Sequence, residues 1–198
     1  MNKKKSIAVA IVLAVTLLIG GLLAYFTDTD TATNVFTLGD NVDISLSEGN
    51  WVAANGLGIH PGATVAKNPI ITNESATTPA YVFAEVTVPC YASTGSTADT
   101  PLFTLDTIGS GWTLISTSAV DTTNKTITYV YAYGSSTTMT SLAASASTPA
   151  VFSSVTLAPT LTAAQKATAG TTNIVVNAYG IQTDSLSVSA PTDIYALF

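Results

Sequence analysis

Charged side chains are scarce in this sequence, and one type is missing altogether. Lys, Asp and Glu make up 9% of the 198 residues, and there is no arginine. Three of the six lysines are Lys3, Lys4 and Lys5, so a chain that loses them changes its net charge from -6 to -9. So acidic a chain cannot neutralise phosphates, which argues against nucleic-acid binding. Low charge is instead typical of a β-rich surface protein coated with Thr and Ser.

Cysteine and histidine, the usual catalytic and metal-binding residues, each occur once. Cys90 cannot form an internal disulfide, and we expect it to be a small buried apolar residue rather than a functional thiol. His60 belongs to no His-Glu-x-x-His motif, and a catalytic zinc normally needs more protein ligands than one imidazole. No Gly-x-Ser-x-Gly motif accompanies the serines. We therefore predict no catalytic, metal-binding or cofactor-binding residues.

The N-terminus carries the pattern of a secretion signal. A basic start is followed by an apolar run over residues 7–19 and by the break Gly20-Gly21-Leu22-Leu23-Ala24. This pattern predicts a signal peptide over residues 1–24, cut by a signal peptidase between Ala24 and Tyr25. The alternative is a membrane anchor, since residues 7–23 reach the lower length limit for crossing a bilayer. The Gly pair and the lack of basic residues after it favour cleavage, and hence a secreted protein with a transient membrane-held precursor.

The segment after the predicted cut is extended and rich in threonine. Residues 27–34 are polar apart from Ala32, and the branched side chain of threonine favours extended backbone. Period-two alternation then begins, with Phe36, Leu38, Val42 and Ile44 on one face. A free, β-prone arm at the new N-terminus of a secreted domain favours self-assembly over catalysis.

The rest of the chain reads as short strands without a long helical pattern. Strands are predicted at residues 63–73, 80–88, 112–117, 126–133, 150–157 and 173–182. Pro69 marks an edge or a bulge in the first, while apolar residues on both faces make 80–88 a central strand. Residues 112–117 and 126–133 should form a hairpin. Brief helices are predicted at 101–105, at 160–168 with Thr160 as the cap, and at 191–198. The fold class is therefore all-β: an antiparallel sandwich with short helices and an N-terminal signal helix.

Four sequence motifs, spread along the chain, resemble one known family. They are residues 20–28 (GGLLAYFTD) with 32–39 (ATNVFTLG), 61–75 (PGATVAKNPIITNES) with 79–82 (PAYV), 148–155 (TPAVFSSV) and 176–182 (VNAYGIQ). In this order they resemble the TasA/camelysin (CalY) family of secreted bacterial matrix-fibre proteins, which are exported through a SipW-type signal peptidase.

The resemblance implies a jelly-roll sandwich over residues 40–198 and assembly into extracellular fibres. Residues 25–39 would be the donor-strand arm, which leaves its own subunit and completes a sheet of the next. The residues implied in polymerisation are Tyr25, Phe26, Thr27, Val35, Phe36 and Leu38. The partners would be identical subunits in a head-to-tail homopolymer, with other matrix proteins as further candidates. The location would be the cell surface or the biofilm matrix.

Three alternatives remain open at this point. The arm could form the first strand of its own domain instead of inserting into a neighbour. The protein could be a monomeric cell-surface adhesin, because Tyr-rich and Thr-rich surfaces bind sugars and proteins without a fixed motif. The third alternative, implied by the resemblance to camelysin, is a metalloprotease, and the presence of a single histidine, His60, argues against it.

Overall fold

Short antiparallel strands form nearly all of the regular structure. The computed structural model describes residues 41–92, 99–165 and 172–198. The strands in these ranges are β1 (Ile44–Ser47), β2 (Thr64–Ala66), β3 (Ile70–Asn73), β4 (Ala80–Ala92), β5 (Asp99–Pro101), β6 (Phe103–Ile108), β7 (Trp112–Thr117), β8 (Thr126–Tyr133), β9 (Phe152–Leu157) and β10 (Val175–Gln182). A 3-10 helix spans Ala53–Gly56, and helix α1 spans Pro191–Tyr195. The predicted signal helix lies outside the described residues.

The strands form two layers. One layer has the order β10-β4-β8-β7, with β5 paired to the end of β4. In the other, β2 and β3 follow one another along the segment that ends in β9: Lys67 donates its amide to Ser153, Val151 to Pro69 and Thr148 to Ile71. With β1 on β3 and β6 on β9, this layer has four strand positions. All pairings are antiparallel, so the predicted antiparallel sandwich is confirmed.

β4 is the central strand that its two apolar faces predicted. It pairs with β10 on one side and with β8 on the other. Val82 and Val86 point into the core between the layers, whereas Phe83 points outward against Ile194 of α1. All four side chains are fully buried. The predicted hairpin is also confirmed, as β7 and β8.

Helix α1 covers the outer face of the β4 layer. The Tyr195 hydroxyl donates to Glu85 Oε2 at 2.7 Å, and the Tyr179 hydroxyl lies 3.4 Å from Glu85 Oε1. Burial, followed by the hydrogen bond to Glu85, raises the pKa of Tyr195 above its usual value. The helical turn predicted at the C-terminal end is thus confirmed and is held by a carboxylate on β4.

Two predicted helix features are wrong. Residues 101–105 are not helical, because Phe103 and Leu105 alternate into the core while β6 pairs along β9. The helical turn that includes residues 163–165 is capped by Thr162 rather than Thr160. The amide of Gln165 donates to Thr162 Oγ1 at 3.2 Å, and the amide of Thr162 donates to Gln165 Oε1 at 2.9 Å. This reciprocal pair is a capping box.

The side chain of Asn73 joins three segments at the end of β3. It is fully buried, and its amide group donates to the carbonyls of Thr78, Leu142 and Ala143 at 2.9, 3.2 and 3.2 Å. Its Oδ1 accepts from the amide of Ser75 at 3.1 Å. Such a fully hydrogen-bonded buried side chain stabilises the fold, because removing it breaks hydrogen bonds that water does not readily replace in the interior.

We expect Asn73→Ala to lower the free energy of unfolding by about 3 kcal/mol, since it removes four hydrogen bonds at a fully buried position, including the acceptor for the Ser75 amide. Urea unfolding followed by circular dichroism measures the change. Asn55→Ala, on the exposed face of the 3-10 helix, is the control and should stay within about 0.5 kcal/mol. A loss at position 73 as small as the control's would show that water replaces these bonds.

The buried phenol of Tyr131 makes the fold sensitive to alkali. Burial, and to a smaller extent the neighbouring Tyr129, raises its pKa from 10.0 to about 12. Because the folded chain holds the proton more tightly, this contribution is complete below pH 10 and is lost as pH rises towards 12. Tyr131→Phe should therefore make stability fall less steeply across this range, as measured by urea unfolding at several pH values. Equal slopes would contradict this account.

Candidate assembly surface

The residues that the sequence predicts for assembly lie outside the described ranges. This applies to the cleavage pair Ala24 and Tyr25 and to the arm residues Phe26, Thr27, Val35, Phe36 and Leu38. Their roles stay predictions. The described residues instead show the surfaces that an arm could meet.

An apolar groove of about 380 Å³ opens between the two layers at one end of the sandwich. Its floor includes Val65, Phe103 and Val155 from one layer, and Ile174 lies just before β10 in the other. Trp51 and Leu57 also line it, from the segment that follows β1. The size is at the lower end of the range in which proteins hold small molecules or side chains.

The groove lies beside a strand edge that β1 leaves uncovered. β1 runs antiparallel along β3, from Ile44 opposite Asn73 to Ser47 opposite Ile70. Continued in this direction it would cover β2, but the chain turns away, and the amide of Asn50 donates to Asn68 Oδ1 at 2.7 Å. Within the described ranges, β2 therefore has a strand partner on one side only, namely β9.

A Lys–Glu pair anchors this turn. Lys67 Nζ donates to the two carboxylate oxygens of Glu48 at 2.5 and 2.7 Å, and it lies 5.3 Å from the centre of the Trp51 ring. The Lys67 and Glu48 side chains are only 10% and 22% exposed. A lysine this buried needs a counter-charge, and the ring adds a cation–π contact. The pair thus fixes the chain where it leaves the sheet.

The mouth of the groove exposes large apolar side chains. Trp51 and Leu57 line the groove, and Val52 lies between the lining residues Trp51 and Ala53. Their exposed fractions are 39% for Trp51, 52% for Val52 and 78% for Leu57. The Trp51 ring rests on Gly56, where a Cβ would lie 2.8 Å from Cη2. Apolar residues gathered beside an open strand edge mark an interaction surface.

The part of the chain that the structure describes gives little support for a metal site, a reactive thiol or a membrane-spanning helix. There, no three His, Cys, Asp or Glu side chains are grouped closely enough to hold a metal ion. His60 lies in an exposed turn, and Cys90 is buried, which raises the pKa of its thiol. No helix within the described ranges is long and apolar enough to cross a membrane.

Sequence reasoning missed the groove and the Glu48–Lys67–Trp51 cluster. One signal was available: Lys67 is a lone lysine within the otherwise uncharged run 63–73. Such a position indicates either an exposed edge or a paired, buried charge. The partner could not be predicted, because Glu48 lies on the far side of a turn whose path depends on tertiary contacts.

We expect Lys67→Met to lower the free energy of unfolding by about 2 kcal/mol, since it leaves the Glu48 carboxylate without its donor in a partly buried place. Lys125→Met is a comparison in which the lysine is 53% exposed while its carboxylate partner Asp99, at 2.8 Å, is 9% exposed. Because solvent reaches the Lys125 ammonium and screens this pair, we expect a smaller loss, of about 1 kcal/mol. Urea unfolding of both variants measures the difference, and equal losses would mean that burial of the lysine does not strengthen the Lys67 pair.

Comparison with known protein families gives a match to the N-terminal part of the chain. The first 89 residues match the family model described as Camelysin metallo-endopeptidase. No curated protein and no solved structure matches the chain. The match includes two of the four motifs that predicted the TasA/camelysin resemblance, together with β1, β2, β3 and the Glu48–Lys67 pair. The resemblance is thereby confirmed.

Proposed function

We propose, on the premise that residues 1–89 place the chain in the TasA/camelysin family, that the protein is a secreted structural subunit of extracellular filaments. The family favours an extracellular or cell-surface matrix protein. In the finer proposal, signal peptidase cuts between Ala24 and Tyr25. The freed arm, residues 25–39, then completes a sheet of the next subunit by donor-strand complementation. Repetition of this step builds a head-to-tail homopolymer in the biofilm matrix.

The observation that carries the proposal is the uncovered edge of β2 beside an apolar groove. An open strand edge presents unpaired N–H and C=O groups, and natural proteins normally cover or disrupt such edges. An added strand can bond to that edge while its alternate side chains fill the groove. The arm has the matching character, because it is β-prone and alternates from residue 35 onward.

A catalytic role is not part of this proposal, although the family description includes the word metallo-endopeptidase. His60 is the chain's single histidine, and the described residues include no group of three His, Cys, Asp or Glu side chains that could hold a metal ion. Zinc-dependent cleavage of casein by the purified protein, abolished by His60→Ala, would support the peptidase reading instead.

One observation favours a second candidate, a monomeric surface adhesin. Trp51 is partly exposed beside the groove, and an aromatic ring in that position can stack on a sugar or hold a peptide. Electron microscopy of the secreted protein separates the two: filaments favour the structural subunit, and isolated particles favour the adhesin.

Deletion of residues 25–34 should leave a soluble monomer, because it removes most of the Thr-rich, β-prone arm. Sedimentation and electron microscopy of secreted material measure this. N-terminal sequencing of the undeleted protein is the control for processing and should start at Tyr25. Filaments that form normally without these residues would end the donor-strand proposal.

A further inference from the structure

We propose that Asn55 is a site of spontaneous deamidation in this protein, and that the Trp51 ring, packed on Gly56, slows the reaction while the chain is folded. The products are aspartate and isoaspartate. Either one adds a carboxylate to the segment whose Ala53, Gly56 and Leu57 line the groove. This chemistry belongs to a single turn and is independent of whether the protein forms filaments.

Asn55 is followed by glycine, which makes its side chain reactive. The attacking atom in deamidation is the backbone nitrogen of the next residue, and glycine leaves that nitrogen unshielded because it carries no Cβ. Asn55–Gly56 is the single Asn-Gly pair in the sequence. Among the other asparagines, Asn177 has the smallest next residue, Ala178. The sequence therefore singles out Asn55 as the most reactive asparagine.

The side chain of Asn55 is accessible to water and base. Asn55 is exposed, and the 3-10 helix Ala53–Gly56 contains no buried residue. The Asn55 carboxamide has no hydrogen-bond partner among the described residues. By contrast, Asn177 Nδ2 donates to Glu85 Oε1 at 3.1 Å from within β10, and Asn73 is fully buried. Asn55 thus combines a reactive neighbour with access to solvent.

The reaction consumes water and releases ammonia, and it needs no oxidant or cofactor. Hydroxide removes the Gly56 amide proton, and the nitrogen attacks Cγ of Asn55. The Cγ–Nδ2 bond then breaks, the nitrogen takes up a proton from water and leaves as ammonia, and a cyclic succinimide remains. Water opens this ring in one of two ways: cleavage at Cγ gives aspartate, and cleavage at the main-chain carbonyl carbon gives isoaspartate. Both products carry a negative charge that asparagine lacks.

Close packing of Trp51 explains why residue 56 is glycine. Gly56 does not have the positive φ that favours glycine, but a Cβ at this position would lie 2.8 Å from Trp51 Cη2. The ring is held in turn by Lys67, whose Nζ lies 5.3 Å from the ring centre. The contact that excludes a larger side chain from position 56 therefore also creates the Asn-Gly pair.

The same turn restrains the reaction. Asn55 donates its amide to the carbonyl of Val52 at 2.9 Å. The helical ψ angle of Asn55 keeps the Gly56 nitrogen out of line with Cγ, so Gly56 must rotate before the ring can close. That rotation breaks the contact between Gly56 and Trp51. Cyclisation thus requires local opening of the turn, and loss of the Trp51 ring should make this opening easier.

Timed peptide mapping of the purified secreted protein tests the site. Samples held at mildly alkaline pH are digested, and mass spectrometry follows the replacement of –NH2 by –OH at each asparagine, with fragmentation that separates isoaspartate from aspartate. Asn55 should react before Asn177, and it should react faster when the protein is unfolded in guanidinium chloride. Faster reaction at Asn177 in the folded protein, or equal rates at Asn55 in the folded and unfolded chain, would overturn the proposal.

Trp51→Ala tests the restraint, with Val52→Ala as the matched control. Val52 lies beside Trp51 and is 52% exposed, and its variant keeps the backbone carbonyl that accepts from Asn55. Trp51→Ala should raise the rate at Asn55 about fivefold, which corresponds to about 1 kcal/mol in the opening equilibrium. The rate at Asn177 in the same sample should not change, and Val52→Ala should leave both rates unchanged. Equal rates at Asn55 in the two variants would contradict the role of Trp51.

Two further variants complete the test, and circular dichroism checks that each one folds. Trp51→Phe keeps a smaller ring over Gly56 and should give a rate between those of the unmodified protein and Trp51→Ala. If Trp51→Ala does not fold, this variant decides, and a rate equal to that of the unmodified protein would count against the restraint. Asn55→Gln disfavours the succinimide because its side chain is one methylene longer, and a new acid at position 55 in that variant would rule out cyclisation as the route.

Discussion

The point at which β1 leaves the sheet determines whether the edge of β2 and the adjoining groove are covered or open. Glu48 and Lys67 meet across the turn, under the Trp51 ring, and the chain does not continue along β2. The pair therefore leaves a strand edge open beside an apolar groove. Leu57 and residues of the 3-10 helix line this groove together with Val65 and Val155. A Lys–Glu pair suits this task since its directional bonds fix a turn that packing alone would leave free.

The opposite end of the same layer is fixed by neutral hydrogen bonds. Asn73 ties β3 to the segment around Leu142, and its Oδ1 holds the amide of Ser75. The Ser75 hydroxyl then accepts from Asp43 and donates to the carbonyl of Asn41. The direction in which the chain enters the domain is thus set by the buried asparagine. Entry at one end and an open groove at the other give the subunit a polarity, which head-to-tail growth requires.

The strands that carry their own pattern were predictable, and the features that depend on distant residues were not. β4 has apolar residues on both faces, which required neighbours on both sides. The β7–β8 hairpin followed from alternation around a polar turn.

The sequence predicts a helix where the structure has β6, because the neighbouring strand β9 lies almost fifty residues further along the chain. Pairing with β9 overrides the local helix preference of this segment. The groove was invisible for the same reason, since Val65, Phe103, Val155 and Ile174 come from four separate segments. Thr162 could have been found from the Thr-x-x-Gln spacing that ends at Gln165.

An uncovered strand edge is a hazard in any secreted protein, because it pairs with whatever extended chain it meets. Few lysines and no arginine remain after the predicted signal peptide to repel such pairing. Protection against unwanted strand pairing must then come from the shape of the groove and from the moment at which the arm is released. A strand added at such an edge would be selected by shape and register, since a one-residue slip would turn its opposite face to the groove. A signal peptide held in the membrane would delay release of the arm until after export. Low charge, which at first argues against nucleic acids as partners, also leaves few side chains that would oppose strand pairing at this edge.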